Sequence, residues 1–373
     1  MKEVSIRSFF LFGMAAAALS FCISCQTPDW KDAPPGKEEL GQFPVEKELP
    51  GVPPESGIRY WKTPFKEIYA VNACYNAVRI TKDSKGGTVY ELWNNSWEGD
   101  EAEKHQIIVS RGPSLDKLGE PLTVCDGTII NDFPDMKNPP TPSPNRGFSR
   151  FSTILHDKEY GYVIMCCACA DYLPGSTSLF PVILVSKTGE PGTFKYLGKI
   201  KGEPAELNAA KKIWCDGGTL MRMENGKWRM YLNGFGTMLS AIESDTLEGN
   251  WKFLRNEKGD IRELISDFPS TDSRKGCFHQ VLKVADGNWH MWMTDKWPPQ
   301  TIWHSWSADG LSWKLYGQQP EITRKAFNYH GIKCIRVFLS EDGKDLIGLL
   351  SIYKDDVGWI LQESRMPSGP PQP

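Results

Sequence analysis

The sequence predicts an all-β protein that forms a single five-bladed β-propeller. A turn flanked by strands recurs five times along the chain, and a second hairpin follows it in four of the five units. No long amphipathic helix interrupts these repeats. Regularly repeated units of about four short strands are typical of propeller blades. A pair of β-sandwiches is the alternative that the same strands allow.

The first repeated element is a polar turn that leads into an apolar or aromatic strand. Most copies contain Asp-Gly, Asn-Gly or a similar pair, and these residues accept the positive φ that a tight hairpin requires. The five copies lie at Lys82–Gly87, His156–Gly161, Glu224–Lys227, Ala285–Asn288 and Glu341–Lys344. Each copy therefore predicts the hairpin between the first two strands of a blade.

The second repeated element is a strand that begins with Ser and leads through a turn to Leu or an aromatic residue. Its clearest copy, Ser307–Trp313, looks like the Ser-Asp-Gly-Trp turns of propeller glycosidases, and we interpret it as a structural hairpin. The two elements place the blades at about 60–120, 148–200, 213–256, 276–318 and 328–365. A proline-rich insert at about 120–147 is predicted to be a loop over one mouth of the propeller.

The N-terminus carries an export signal. Charged Lys2 and Arg7 precede the uncharged run Phe9–Phe21, which is too short to span a membrane. Cys25 follows the small residue Ser24 in a pattern that resembles a bacterial lipobox, so Cys25 is the expected lipidation site. A plain secretory signal is the alternative. We divide the chain into a signal peptide at 1–25, a flexible tether at 26–57 and the propeller at 58–373.

Lipidation would anchor the protein in the cell envelope. Gln26, rather than Asp, follows the lipidated position, which in lipoprotein sorting implies the outer membrane. The net charge of −3, without clustered Lys and Arg, argues against nucleic acid as a partner. The 14 Trp residues suit either core packing or stacking on sugar rings.

Eight of the ten Cys lie outside the signal region, three of them in the run Cys166-Cys167-Ala168-Cys169. Their even number permits disulfides, but a chain of this size does not need them. No second Cys pair lies at zinc spacing. We interpret these residues mainly as buried free thiols.

Candidate site residues lie where the first strand of each blade begins. In a propeller that strand runs beside the central channel, so the residues at its start converge on one pocket. A polar residue occurs near this position in every blade: Asn76 in blade one, Arg150 in blade two, Asp216 beside Trp214 in blade three, His279 and Gln280 in blade four, and His330 in blade five.

Through this architecture and these short motifs, the chain from about residue 60 resembles the five-bladed glycoside hydrolases of families 43 and 117. The resemblance implies a catalytic Asp216 on blade three and a His279 acid on blade four, as in family 117. It implies that His330 supports a central metal, such as calcium, or a water network. Asn76, Arg150, Trp214 and Gln280 are then expected to bind the carbohydrate substrate.

These roles predict an inverting hydrolase that acts on oligo- or polysaccharides, in which one acid and one base lie about 6.5–9.5 Å apart. The resemblance also implies a base Asp on blade one, where this chain has Asn72 and Asn76. Candidate bases in the insert are Asp126, Asp132 and Asp135. Because an amide cannot take a proton from water, a non-catalytic carbohydrate-binding propeller is one alternative. A phosphorylase similar to family 130 is the other.

Overall fold

A computed structural model describes the propeller but not the N-terminal region. The described residues are 60–62, 64–69, 75–97, 102–130, 146–170, 179–209, 216–233, 239–266, 268, 278–284, 287–295, 301–316, 319–327, 331–354 and 358–368. The signal peptide, Cys25 and the tether lie outside them. No helix among these residues is long and apolar enough to cross a membrane.

The described chain forms five sheets of four or five strands, arranged as a five-bladed β-propeller. The fold prediction is therefore confirmed. Strand β1 spans Lys66–Tyr69. Blade one contains β2 (Asn76–Lys82), β3 (Thr88–Trp97), β4 (His105–Gly112) and β5 (Leu122–Asp126). Blade two contains β6 (Arg146–Asp157), β7 (Gly161–Ala170), β8 (Leu179–Ser186) and β9 (Lys195–Lys199).

Blade three contains β11 (Asp216–Arg222), β12 (Trp228–Asn233), β13 (Leu239–Ser244) and β14 (Asn250–Phe253), with the short β10 (Lys201–Gly202) parallel to β14. Blade four contains β15 (Gln280–Lys283), β16 (Trp289–Thr294), β17 (Thr301–Ser307) and β18 (Lys314–Leu315), with β19 (Ile322–Thr323) paired to β17. Blade five contains β20 (Gly331–Leu339), β21 (Asp345–Lys354) and β22 (Gly358–Pro367).

Among the described residues, helical structure is confined to short connections. The helix α1 spans Glu203–Ala209 and follows β10 directly. Single 3₁₀ turns lie at Ala102–Lys104, Gly127–Ile129 and Arg324–Phe327.

Blade one differs from its predicted boundaries at both ends. It was expected to begin at about residue 60, but β1 pairs with β22 and completes blade five instead. This pairing joins the two ends of the described chain and closes the ring. The predicted insert also begins too early, because Leu122–Asp126 pairs with β4 as the fourth strand of blade one.

All five predicted turns are confirmed as hairpins between the innermost strand and the second strand of a blade. A glycine with positive φ lies in or directly beside each one. These glycines are Gly86 (φ 83°), Gly161 (81°), Gly226 (83°), Gly287 (86°) and Gly343 (70°). Glycine adopts this conformation at no steric cost, which explains why the turns can be read from the sequence.

The core lies between adjacent blades. The largest buried apolar cluster lies mainly in blades one to three and also includes Phe278, Cys334 and Trp359, and smaller clusters join blades three to four, four to five and five to one. Several Trp side chains belong to these clusters, and Trp93, Trp228, Trp251, Trp292 and Trp303 are fully buried. For these residues the core-packing interpretation is the right one.

Candidate functional site

The five innermost strands surround the central channel. They are β2, β6, β11, β15 and β20, and each contacts the next around the ring. We call the end at which these strands begin the entrance end, and the opposite end, where the five hairpins lie, the turn end. Most predicted site residues lie at or directly before the entrance end.

Asn76 opens the inner strand of blade one and is completely buried. Its Nδ2 donates a hydrogen bond of 3.1 Å to Oγ of Ser351 in blade five, so the side chain links two blades. Its Oδ1 is buried and accepts no hydrogen bond from a described residue, and the same is true of Oδ1 of the cross-strand neighbour Asn94. The side chain at this position is thus an amide that holds blades one and five together.

His279 lies directly before the inner strand of blade four and is also completely buried. Its Nε2 lies 3.1 Å from the main-chain oxygen of Tyr231 in blade three. A carbonyl oxygen only accepts hydrogen bonds, so Nε2 carries the proton and donates it there. The ring of His279 therefore directs this proton towards the backbone of the neighbouring blade.

The backbone around His279 is fitted closely to its ring. A Cβ added to Gly218 would lie 2.4 Å from Nε2 of His279 and 1.8 Å from the oxygen of Tyr231. Only glycine fits at this point. Phe278, the residue before His279, has a φ of 49°, an unusual conformation for an aromatic residue. Such strain clusters at functional sites, where the surrounding structure has to stabilise it.

Asp216 begins the inner strand of blade three, opposite Asn233. The register shifts between Asp216 and Thr219, which indicates a β-bulge. Bulges commonly redirect a side chain next to an active site. Asp216 lies two positions before Gly218, the glycine that the His279 ring covers. The start of β11 is therefore close to His279. The side-chain position of Asp216 lies outside the described part of the structure.

Gln280 uses both ends of its amide to bind the backbone of blade five. Its Nε2 donates to the oxygen of Val337, and its Oε1 accepts from the nitrogen of Val337, each at 2.7 Å. Thr219 makes a similar link, because its Oγ1 accepts from the nitrogen of Val281 at 2.9 Å. Thr153 accepts from the nitrogen of Leu220 at 3.1 Å.

A fifth contact completes a ring of inter-blade hydrogen bonds. Oδ1 of Asn95 in blade one accepts from the nitrogen of Phe151 in blade two at 3.2 Å. Together with the bonds of Thr153, Thr219, Gln280 and Asn76, every neighbouring pair of blades is joined by a polar side chain. The buried amide and hydroxyl groups near the channel therefore hold the blades in place.

Several predicted site residues lie outside the described part of the structure. Trp214 and His330 belong to segments that it omits, and for Arg150 only the backbone is described. Their predicted roles in substrate and metal binding stay predictions. Among the described residues, no group of three or more His, Cys, Asp or Glu is placed to hold a metal ion.

Of the three acidic candidates from the insert, the structure describes Asp126. Oδ1 of Asp126 accepts hydrogen bonds from the nitrogen of Thr128 at 2.9 Å and from its hydroxyl at 2.5 Å, and so caps the 3₁₀ turn that follows. Asp132 and Asp135, the other candidate bases, lie outside the described residues.

A buried lysine at the entrance end escaped the sequence analysis. Lys333 is 4% exposed, and its Nζ lies 4.8 Å from the ring centroids of both Tyr75 and Phe278 and 5.7 Å from that of Trp359. Aromatic faces attract cations at these distances. The available signal was the pair of charged residues Lys333 and Arg336 within the otherwise apolar segment Gly331–Val337.

The thiols that the structure describes fit the sequence interpretation. Cys125, Cys166, Cys167 and Cys334 are thiols that form no disulfide in the described part of the chain, and all but the half-buried Cys125 are buried. Burial raises the pKa of the Cys166 thiol well above its usual value. A thiol held in its protonated form is a poor nucleophile and a poor metal ligand.

No protein-family model matches the chain, and no curated protein is similar to it in sequence. Solved structures do share its fold. The catalytic domain of a family 62 α-L-arabinofuranosidase from Coprinopsis cinerea aligns with a TM-score of 0.53 at 8% identity, over 83% of this chain and 98% of that domain. A Bifidobacterium bifidum protein assigned as an exo-β-1,3-galactanase aligns with a TM-score of 0.53 at 12% identity, over 83% and 92%.

A third structure was solved with a bound sugar. It is the exo-β-1,3-galactanase of Phanerochaete chrysosporium with β-1,3-galactotriose, which aligns with a TM-score of 0.52 at 9% identity. The alignment covers 82% of this chain and 64% of the galactanase, so this chain spans less than two thirds of that protein. At such low identity the likeness establishes the fold and leaves the activity open. This chain therefore has the five-bladed β-propeller fold that these glycoside hydrolases share.

Proposed function

We propose that the protein hydrolyses glycosidic bonds in oligo- or polysaccharides at the entrance end of its channel. The observation that carries this proposal is the fitted junction between blades three and four, where the bulge after Asp216 meets the buried His279. Bulges and strained residues are typical of catalytic sites. The fold shared with glycoside hydrolases supports the same function.

In this proposal Asp216 supplies a catalytic carboxylate. Glycoside hydrolases use two carboxyl groups, or equivalent groups, on opposite sides of the scissile bond. In an inverting enzyme one protonates the leaving oxygen while the other activates water. The substrate would occupy the entrance end above β11, with Arg150 and Trp214 available to bind it.

The contacts of His279 favour a positioning role over the acid role that the sequence predicted. A general acid must reach the leaving oxygen at hydrogen-bond distance. The ring of His279 is fully enclosed and donates from Nε2 to Tyr231. In the positioning role it fixes β15 against the bulge that presents Asp216.

Kinetics on two substrates separate these roles. We expect Asp216→Asn to lower kcat for a natural oligosaccharide by about 10²–10⁴-fold, the usual contribution of a positioned acid or base. If His279 acts only by positioning the bulge that carries Asp216, His279→Gln should reduce turnover of a natural substrate and of an activated aryl glycoside by similar factors. If His279 is the acid, the aryl glycoside, whose leaving group needs little protonation, should be affected far less.

The control variant is Asn225→Ala, because Asn225 is exposed in a hairpin at the turn end, where its Oδ1 accepts a hydrogen bond from the nitrogen of Lys227 in the same loop. Its kinetics should match those of the wild type. Full wild-type activity in a correctly folded Asp216→Asn variant would contradict the proposed role of Asp216.

A non-catalytic carbohydrate-binding propeller is a second candidate, favoured by one observation. The side chain at the blade-one position is the buried amide of Asn76, which cannot act as a base. In this case the wild type would turn over no glycan in a broad panel, while isothermal titration calorimetry would still detect binding. A binder should lose affinity in Trp214→Ala, since sugar rings stack on indole.

We also propose that Cys25 is lipidated and anchors the propeller to the outer membrane. The lipobox-like sequence supports this, and Gln26 supports the outer-membrane location. Metabolic labelling with a palmitate analogue should tag the wild type and leave Cys25→Ala unlabelled. Equal labelling of both proteins would refute lipidation at this residue.

A further inference from the structure

The central channel contains a cavity of about 370 Å³ that the proposed catalytic function does not use. All five innermost strands line it, through residues such as Ala77, Thr153, Leu220, Val281 and Arg336. Small-molecule sites in proteins begin at about this volume. Most of the lining is apolar or already hydrogen-bonded within the propeller, and Arg336 is its buried charged side chain.

Arg336 is a buried cation with an incomplete set of partners. It is 2% exposed, and its Nη1 donates to the main-chain oxygen of His279 at 3.0 Å. Its Nε is buried, and no described residue accepts a hydrogen bond from Nε or Nη2. No carboxylate of the described chain forms an ion pair with it.

Another buried arginine shows how this protein compensates such a charge. Arg229, which is 7% exposed, lies with Nη2 at 2.7 Å and Nε at 2.8 Å from Oε1 of Glu243. Arg229 therefore directs its Nε and Nη2 at a carboxylate. In Arg336 the same two donors have no acceptor among the described residues, and an uncompensated buried charge is strongly destabilising.

The other charged groups that line the cavity do not supply the missing acceptor. The Asp157 carboxylate accepts from the nitrogens of Glu159 and Tyr160, at 2.8 and 3.1 Å, and so belongs to its own turn. Arg222, the other cation in the lining, is exposed and lies over the Trp228 ring, so it needs no counter-ion in the channel. Arg336 is therefore the buried charge of the lining that lacks a counter-ion among the described residues, which favours an anion beside it.

We propose that the channel binds a small anion with two acceptor oxygens, a carboxylate or an inorganic oxyanion, on the Nε and Nη2 edge of Arg336. The planar edge of a guanidinium donates two parallel hydrogen bonds, a geometry that matches carboxylates and oxyanions better than a spherical halide. Nη1 of the same guanidinium binds the main-chain oxygen of His279. The anion would therefore lie in the channel next to the entrance end and stabilise the position of Arg336 against His279.

The wild-type protein provides the first test. After dialysis into a buffer with a bulky anion, thermal unfolding is measured with sodium formate, acetate, phosphate, sulfate, glucuronate or chloride at constant ionic strength. We expect a saturable rise in Tm with at least one oxygen-containing anion and a smaller rise with chloride. At about 100-fold excess over Kd the rise should reach several degrees.

Comparison of the anions identifies the source of the carboxylate. A response to formate or acetate indicates a free small anion, whereas a response to glucuronate alone indicates the carboxylate of a sugar acid. Phosphate or sulfate acting alone would indicate an inorganic oxyanion. Each of these results supports the site, and a response equal to that of chloride for every anion overturns it.

Two variants locate the site. Arg336→Gln should abolish the saturable response, while Arg222→Gln, a control in the lining of the same cavity, should retain it. If Arg336→Gln does not fold, Arg336→Lys tests the site instead. Lysine keeps the positive charge but lacks the guanidinium edge that donates two parallel hydrogen bonds. We expect its Kd for the responding anion, measured by calorimetry, to rise at least about tenfold. An unchanged Kd in Arg336→Lys, or an unchanged response in folded Arg336→Gln, would refute the assignment.

Discussion

The hairpins at the turn end are closed by local hydrogen bonds and linked across blades by exposed pairs such as Lys82–Glu341, whereas buried polar side chains at the entrance end bind other blades. At the turn end, Oδ1 of Asp83 accepts from the nitrogens of Lys85 and Gly87, at 2.8 and 2.7 Å. At the entrance end, His279 contacts a residue 48 positions away, and the partner of Asn76 is 275 positions away.

This difference assigns different physical roles to the two ends. A hairpin closed by its own side chain forms from local sequence, and its loss affects one loop. A contact between blades forms only once the ring has assembled, and its loss weakens the junction on which the site depends. Substitutions at the entrance end should therefore cost more stability than matched substitutions at the turn end.

The largest difference is expected between two glycine substitutions. In Gly218→Ala the new Cβ would clash with the oxygen of Tyr231 at 1.8 Å, and the backbone there cannot move away freely. We expect a loss of about 3 kcal/mol or more in the free energy of unfolding. In Gly226→Ala the new Cβ has no atom within 4 Å, so only the strain of a φ of 83° lowers the free energy of unfolding, by about 1 kcal/mol. Urea denaturation measures both, and equal losses would contradict the comparison.

A smaller loss of unfolding free energy is expected when one inter-blade hydrogen bond is removed. Thr219→Val removes the hydroxyl that accepts from the nitrogen of Val281, and leaves that buried donor unsatisfied. The expected loss is about 1–3 kcal/mol. Thr81→Val is the matched control, because Thr81 is partly buried and its hydroxyl forms no hydrogen bond with a described residue. Similar losses in the two variants would show that the inter-blade bond contributes little.

The Asp309 carboxylate at the turn end should contribute to stability in a pH-dependent way. Burial acts to raise the pKa of Asp309, but hydrogen bonds from the nitrogens of Ser312 and Leu311 hold it well below 3.8. The side chain is 52% exposed, so solvent screening limits the loss in Asp309→Asn to about 1 kcal/mol at pH 7.

The sign of this pH dependence follows from the lowered pKa in the folded state. The stabilisation by Asp309 is complete above the unfolded-state pKa of about 3.8 and is lost as the pH falls towards the folded-state value. The difference between wild type and Asp309→Asn should therefore shrink below pH 4. Thermal unfolding between pH 2.5 and 7 measures it, and a constant difference would argue against a role for the carboxylate charge.

The smallest effect is expected in an exposed hairpin. Asn225→Ala removes one hydrogen bond, from the nitrogen of Lys227 to Oδ1 of Asn225 at 3.1 Å. Because both groups face water, the change in unfolding free energy should stay within about 0.5 kcal/mol. A loss above 1 kcal/mol would show that the turn end contributes more than its local contacts suggest.

The sequence by itself determined the five hairpins, the number of blades and the buried character of the described thiols. These features depend on local chemistry, since a glycine with positive φ or an apolar run carries its meaning without distant partners. The turn at Ser307–Trp313 belongs to the same class, with Asp309 accepting from the nitrogens of Leu311 and Ser312.

The tertiary structure alone decided the closure of blade five by β1, the enclosure of His279 over Gly218 and the isolation of Arg336 in the channel. In the sequence His279 and Gln280 look like polar residues available to a ligand. Once the ring closes, both bind the backbone of a neighbouring blade. The physical reason is range: these partners lie 48 to 57 positions apart and meet only through the packing of complete blades.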